Sequence, residues 1–219
     1  MDIEYFTKER IKFTKYFYEN GCIPFQETID LIEREQHPYV PVYDESGEPQ
    51  FMSEWLQARD GIESIGLASL SMLSSSLQIY MNAWLDRFNV PSSKRKGKKG
   101  WFDAMKKAMR NCGVDFTTCK LDLDILEQLV LARNRVQHAD NITSNTVTHL
   151  PKELARFPSP TFVEPSYLGS TNTWFSYPRV YIDQTKVDET ASLIESFCEW
   201  LEAEFVRLEQ DRVRKKQKV

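Results

Sequence analysis

The run Leu131-Ala132-Arg133-Asn134-Arg135-Val136-Gln137-His138-Ala139-Asp140 gathers residue types that can do chemistry. His138 carries an imidazole, which titrates near neutral pH and can act as general acid or general base. Arg133 stays protonated and can hold a phosphate through two parallel hydrogen bonds. Asn134 can orient either the histidine or the phosphate. Spacing limits what the pair can do together. At about 100° per residue, positions five apart on an ideal helix differ by roughly 140° in direction. One straight helix therefore cannot aim Arg133 and His138 at one point. Either the helix ends before His138, or two chains pool their motifs. Taken alone, the same residues also describe a surface arginine and a histidine favourably placed at a helix C-terminus.

The elements around the run are helical. Ile125, Leu129, Ala132 and Val136 make an inward stripe for a helix over about 121–137, which the run closes. A longer helix is predicted from a Ser53 cap to about Asn89, with Trp55, Ala58, Ile62, Ile65, Met72, Tyr80, Trp84 and Phe88 on one face. Its apolar stripe is broad enough to imply several packing neighbours. Trp101 to Cys112 forms a short helix that Gly113 closes. The last helix repeats Val187, Ala191, Ile194, Cys198, Leu201, Phe205 and Leu208 at spacings of four and three. Upstream, a helix over 2–20 is expected to stop at Gly21, with a second over 25–36 and a short hairpin strand at Tyr39–Tyr43. Residues 140–182, rich in Asn, Thr, Ser and Pro, read as a long irregular insertion, with one strand at Trp174–Ile182.

Arg-Asn-x-x-x-His at the end of an aliphatic helix, within this helix order, resembles the HEPN superfamily. Its hallmark is an arginine, four to six residues and a histidine, often with a polar residue after the arginine. The resemblance covers about 53–140 and 183–212. It implies a mainly α fold, an antiparallel four-helix bundle, and does not account for residues 1–52 or 140–182, which are expected as an N-terminal extension and a long insertion before the last helix. Residues 1–52 would be a helical and hairpin extension packed on the core. Residues 53–219 would be the HEPN-like domain, with the insertion at about 140–182 and a disordered basic tail from about 212. The resemblance further implies a metal-independent endoribonuclease leaving 2',3'-cyclic phosphate and 5'-hydroxyl ends, with Arg133, Asn134 and His138 as its site. HEPN ribonucleases are two-fold dimers with a composite cleft, so a homodimer with its axis near Arg133 and His138 is expected. Such an enzyme is of toxin or antiviral-defence type and needs an antitoxin or a defence-system partner to restrain it. The alternative is a non-catalytic HEPN-like interaction or nucleotide-binding module.

Charge bears on where RNA would bind. The net charge is -4, from 28 Lys and Arg against 32 Asp and Glu. Ten of the cations lie in two acid-free segments, Lys94, Arg95, Lys96, Lys98 and Lys99, and Arg212, Arg214, Lys215, Lys216 and Lys218. Without them 18 cations face 32 acids, a balance of -14. An acidic body with two positive segments can still take a polyanion. The 94–99 loop, with Arg135, is the expected RNA contact. Trp174, Phe175, Tyr177 and Tyr181 could stack on bases, though aromatics there more often close an insertion onto its core.

Other chemistries find little footing. Four cysteines without CxxC spacing and three histidines do not suggest a zinc site. There is no P-loop, no Gly-x-Gly-x-x-Gly and no Gly-x-Ser-x-Gly. No cofactor is therefore expected. The acidic start and the lack of an 18-residue apolar run argue for a cytoplasmic protein with reduced thiols and no membrane contact.

Overall fold

A computed structural model describes residues 2–43, 47, 49–95, 100–138, 146–157, 159–165 and 178–216. Among them the chain is mainly α-helical. The helices are α1 (Ile3–Glu33), α2 (Met52–Arg87), α3 (Trp101–Asn111), α4 (Leu123–Gln137), α5 (Pro151–Leu154) and α6 (Gln184–Lys216). Single turns of 3-10 helix stand at Ser92–Arg95 and Phe116–Thr118.

α2 is the central helix. It packs against α1, α3, α4 and α6, and Leu70, Leu73, Leu77, Tyr80, Met81, Trp84 and Leu85 on it are buried. A helix apolar on more than one side has to be covered from several sides. Several of its polar groups bond locally or to a neighbour. Ser69, Ser71 and Ser76 donate to carbonyls one turn back, which lets a serine-rich helix enter a core. The buried Tyr80 hydroxyl donates to the Cys198 carbonyl of α6 at 2.8 Å. Trp84 stacks on Phe205 of α6, with ring centroids 3.9 Å apart.

Several local expectations need correction. α1 does not stop at Gly21 but runs on through Pro24 to Glu33. Gly21 serves packing: a Cβ there would lie 3.1 Å from the Ile65 side chain of α2. Burial of Ile3, Ile11, Tyr18 and Ile29 in the common core outweighs the helix-breaking tendency of Pro24. Ser53 is not the cap of α2; Phe51 occupies that position with a left-handed backbone at φ 61°. No strand forms at 39–43. Instead the Gln50 side-chain amide donates to the Val42 carbonyl and accepts from the Val42 amide, imitating a strand partner. α6 continues to Lys216 rather than giving way to a disordered tail from 212. Lys and Arg are good helix formers and suit the negative end of a helix.

The insertion, where described, folds back onto α4. The Gln128 side chain accepts from Thr161 N and donates to Ser159 O. Val180 N donates to Val147 O, and Tyr181 N to Phe162 O. These are isolated bridges, Thr148 with Arg179 and Val163 with Val180, rather than the strand expected over 174–182. Residues 174–177 of that expectation, with three of the four aromatics, lie outside the described residues. His149 is buried, and its Nε2 lies 2.7 Å from the Phe162 carbonyl. Burial holds its pKa below the ordinary value, and the charge of Arg135 adds to that, against the carbonyl bond.

Candidate functional site

α4 begins at an Asp122 cap, whose carboxylate accepts from Asp124 N at 3.0 Å. Leu126, Leu129, Val130 and Ala132 turn into the core. Ile125 and Val136 pack against it half-buried. That burial fixes the rotation of the helix, and so the directions of the polar residues at its end.

The helix stops at Gln137. His138 is the cap residue, with φ -122° and ψ 42°, and its amide donates to the Asn134 carbonyl at 3.1 Å. Of the two ways around the spacing problem, the first therefore holds within a single chain: the backbone leaves helical geometry at the histidine. Its side chain is exposed. Arg133 is half-buried, and its Nη1 donates to the Asn134 carboxamide oxygen at 3.2 Å. Its Nε is buried without a hydrogen-bond partner. The Asn134 side chain thus holds the arginine rather than the histidine. A buried N–H left open is uncommon in a native fold and costs folding free energy.

Two residues expected among the RNA contacts are engaged within the fold. Arg135 points roughly 200° away from Arg133 around the helix, and its Nε donates to the Thr148 carbonyl at 2.9 Å, tying α4 to the insertion. Arg95 folds back over the end of α2, bonding the Val90 carbonyl at 3.0 Å, Asp86 at 2.6 Å and Asn82 at 3.3 Å. Its side chain is only 12% exposed, so it is a cap for α2 rather than a free cation. Lys94 is exposed; Lys96, Lys98 and Lys99 lie outside the described residues.

A second feature lies between α1, α2 and the returning segment 179–182. It is a cavity of about 330 Å³ whose lining includes Trp55, Arg59, Glu63, Glu164, Arg179 and Tyr181, and does not include Arg133, Asn134 or His138. Glu63 on α2 faces Arg179, Arg59 and Glu164 here, and burial pushes its carboxyl above the ordinary value. The sequence held a partial signal: Trp55, Arg59 and Glu63 recur every fourth residue, on one helix face. Arg179 and Tyr181 alternate along an extended segment. Only folding brings the two sets together.

No protein-family model, curated protein or solved structure matches this chain. Among the described residues no helix is long and apolar enough to cross a membrane.

Proposed function

We propose that the protein is a metal-independent endoribonuclease of toxin or defence type, with a HEPN-like helical bundle and a composite site in a homodimer. One observation carries the reading: α4 ends just before His138, leaving an exposed imidazole one turn beyond an arginine that Asn134 holds in place. In this reading His138 exchanges the proton with the 2'-hydroxyl or the leaving 5'-oxygen. Arg133 neutralises the charge that builds on the phosphate oxygens. A second copy, placed two-fold near the α4 ends, supplies the matching Arg133 and His138 and closes the cleft.

The test is incubation of purified protein with mixed RNA in excess EDTA. Cleavage to 2',3'-cyclic phosphate ends is expected, and His138→Ala should lower the rate by about a hundredfold or more. An unchanged cleavage pattern in His138→Ala would refute the assignment. Sedimentation should give a dimer. A monomer at all concentrations that cleaves normally would remove the composite site and leave a single-chain one.

A further inference from the structure

The cavity between α1, α2 and residues 179–182 belongs to none of the chemistry above. Its geometry comes from two close approaches to α2. At Gly61 a Cβ would lie 2.4 Å from the Phe25 ring of α1, and at Gly66 one would lie 3.0 Å from the Ile182 carbonyl. Those glycines let α1 and the returning segment close around the Trp55–Glu63 face from opposite sides. The space left between them, about 330 Å³, is within the range of small-molecule sites.

Charge decides what kind of molecule suits it. Two guanidiniums, Arg59 and Arg179, and two carboxyls, Glu63 and Glu164, line the cavity, so its charged groups balance. Arg59 and Arg179 are exposed at the opening, and Arg59 lies over the Trp55 ring, 5.0 Å from its centroid. Glu63 lies deeper. Its Oε1 is buried and has no hydrogen-bond partner, although leaving a charged acceptor open is costly. An N–H donor from outside the chain would complete it. A phosphate-bearing ligand would satisfy the arginines and meet two carboxyls of its own sign. A simple cation would meet the reverse. A molecule carrying both signs close together, on an apolar body that fits beside Trp55 and Tyr181, meets neither penalty.

We propose that this cavity binds a free α-amino acid with an apolar side chain, its ammonium on Glu63 and its carboxylate on Arg59 and Arg179. The Trp55 and Tyr181 rings flank the side chain. The site is independent of the ribonuclease reading and stands or falls without it.

Isothermal titration of the full chain tests it, with L-tryptophan and L-leucine as the zwitterions. Tryptamine lacks the carboxylate, indole-3-propionate lacks the ammonium, and adenosine monophosphate is the phosphate control. At least one amino acid should bind, one molecule per chain. Where L-tryptophan binds, each single-charge analogue should be weaker by about tenfold or more, since each leaves one side of the cavity's charge, the carboxylate of Glu63 or the two guanidiniums, unmatched. Glu63→Gln and Arg179→Ala should each weaken the amino acid by a similar factor. Arg179 is exposed, so its variant folds even if the Glu63 change disturbs α2. His138→Ala should leave this binding unchanged. No heat from either amino acid, preferred binding of adenosine monophosphate, or wild-type affinity in Arg179→Ala would overturn the proposal.

Discussion

His138 owes its accessibility to where α4 stops, and Arg133 owes its position to its neighbour in sequence. Both effects are local. Asn134 does double duty, because its backbone carbonyl accepts from His138 and its side chain accepts from Arg133. The Nε of Arg133 is buried without a partner. A buried donor without a partner costs folding free energy, so its removal should not harm the fold. Under the proposed ribonuclease function, Arg133→Met is therefore expected to end cleavage while leaving the thermal midpoint unchanged or raised. A fall of several degrees in melting would show that the guanidinium holds the fold instead. Tyr80 behaves in the opposite way. Its hydroxyl is satisfied at Cys198, and Tyr80→Phe should cost about 1 kcal/mol in denaturant unfolding, with no effect on cleavage.

At the level of elements, α4 is a shared support. Gln128 and Arg135 tie it to the insertion, and it also packs against α2 and α6. His149 makes the insertion sensitive to acid. Its ordinary pKa is 6.5, and burial lowers it in the fold, ahead of a repulsion from Arg135. A lowered folded value means that the unfolded segment binds the proton more readily. The stability from neutral His149 is therefore complete above about 6.5 and is lost as pH falls below it towards the folded value. Amides of His149, Val180 and Tyr181, which donate to Pro178, Val147 and Phe162, report on this. Their hydrogen-exchange protection, corrected for intrinsic rates, should fall between about pH 7.5 and about pH 5. In His149→Gln that dependence should vanish. Equal protection at both values would mean that the imidazole is not coupled to the docking of the insertion.

For the whole molecule, charge is the governing quantity. A balance of -14 outside the two basic segments repels a polyanion over most of the surface. With Arg95 folded onto α2, the loop offers Lys94 and the three lysines that follow it in sequence. Neutralising Lys94, Lys96, Lys98 and Lys99 together should weaken RNA binding and flatten its salt dependence, by about 0.7 in log–log slope for each phosphate that no longer meets a cation. An unchanged slope would mean that the loop does not meet RNA. Acid should also loosen the turn that joins α3 to the 3-10 turn at Phe116–Thr118. Glu204 of α6 accepts from Arg207, and from Asp115 N at 3.3 Å. The Arg207 bond first, then the Asp115 amide, hold its pKa below the ordinary 4.5. Its contribution is present above that value and is lost as pH falls through the lowered one. Glu204→Gln should make stability less dependent on pH below about 4.5 in acid unfolding.

The sequence by itself determined the helical periods, the approximate ends of α3 and α4, and the presence of Arg133, Asn134 and His138 at the close of an apolar helix. Those features depend on residues within a turn or two of each other, so spacing and capping express them. Tertiary structure decided the rest. It carried α1 through Gly21 and Pro24, because packing against Ile65 and the shared core outweighs local propensity. It turned Arg95 and Arg135 inward, because their partners at Val90, Asp86 and Thr148 become neighbours only when the chain folds back. It assembled the Glu63 cavity from residues more than a hundred positions apart. Burial and charge pairing across such distances have no signature in local spacing, so each half of the cavity showed only as a spacing within its own element.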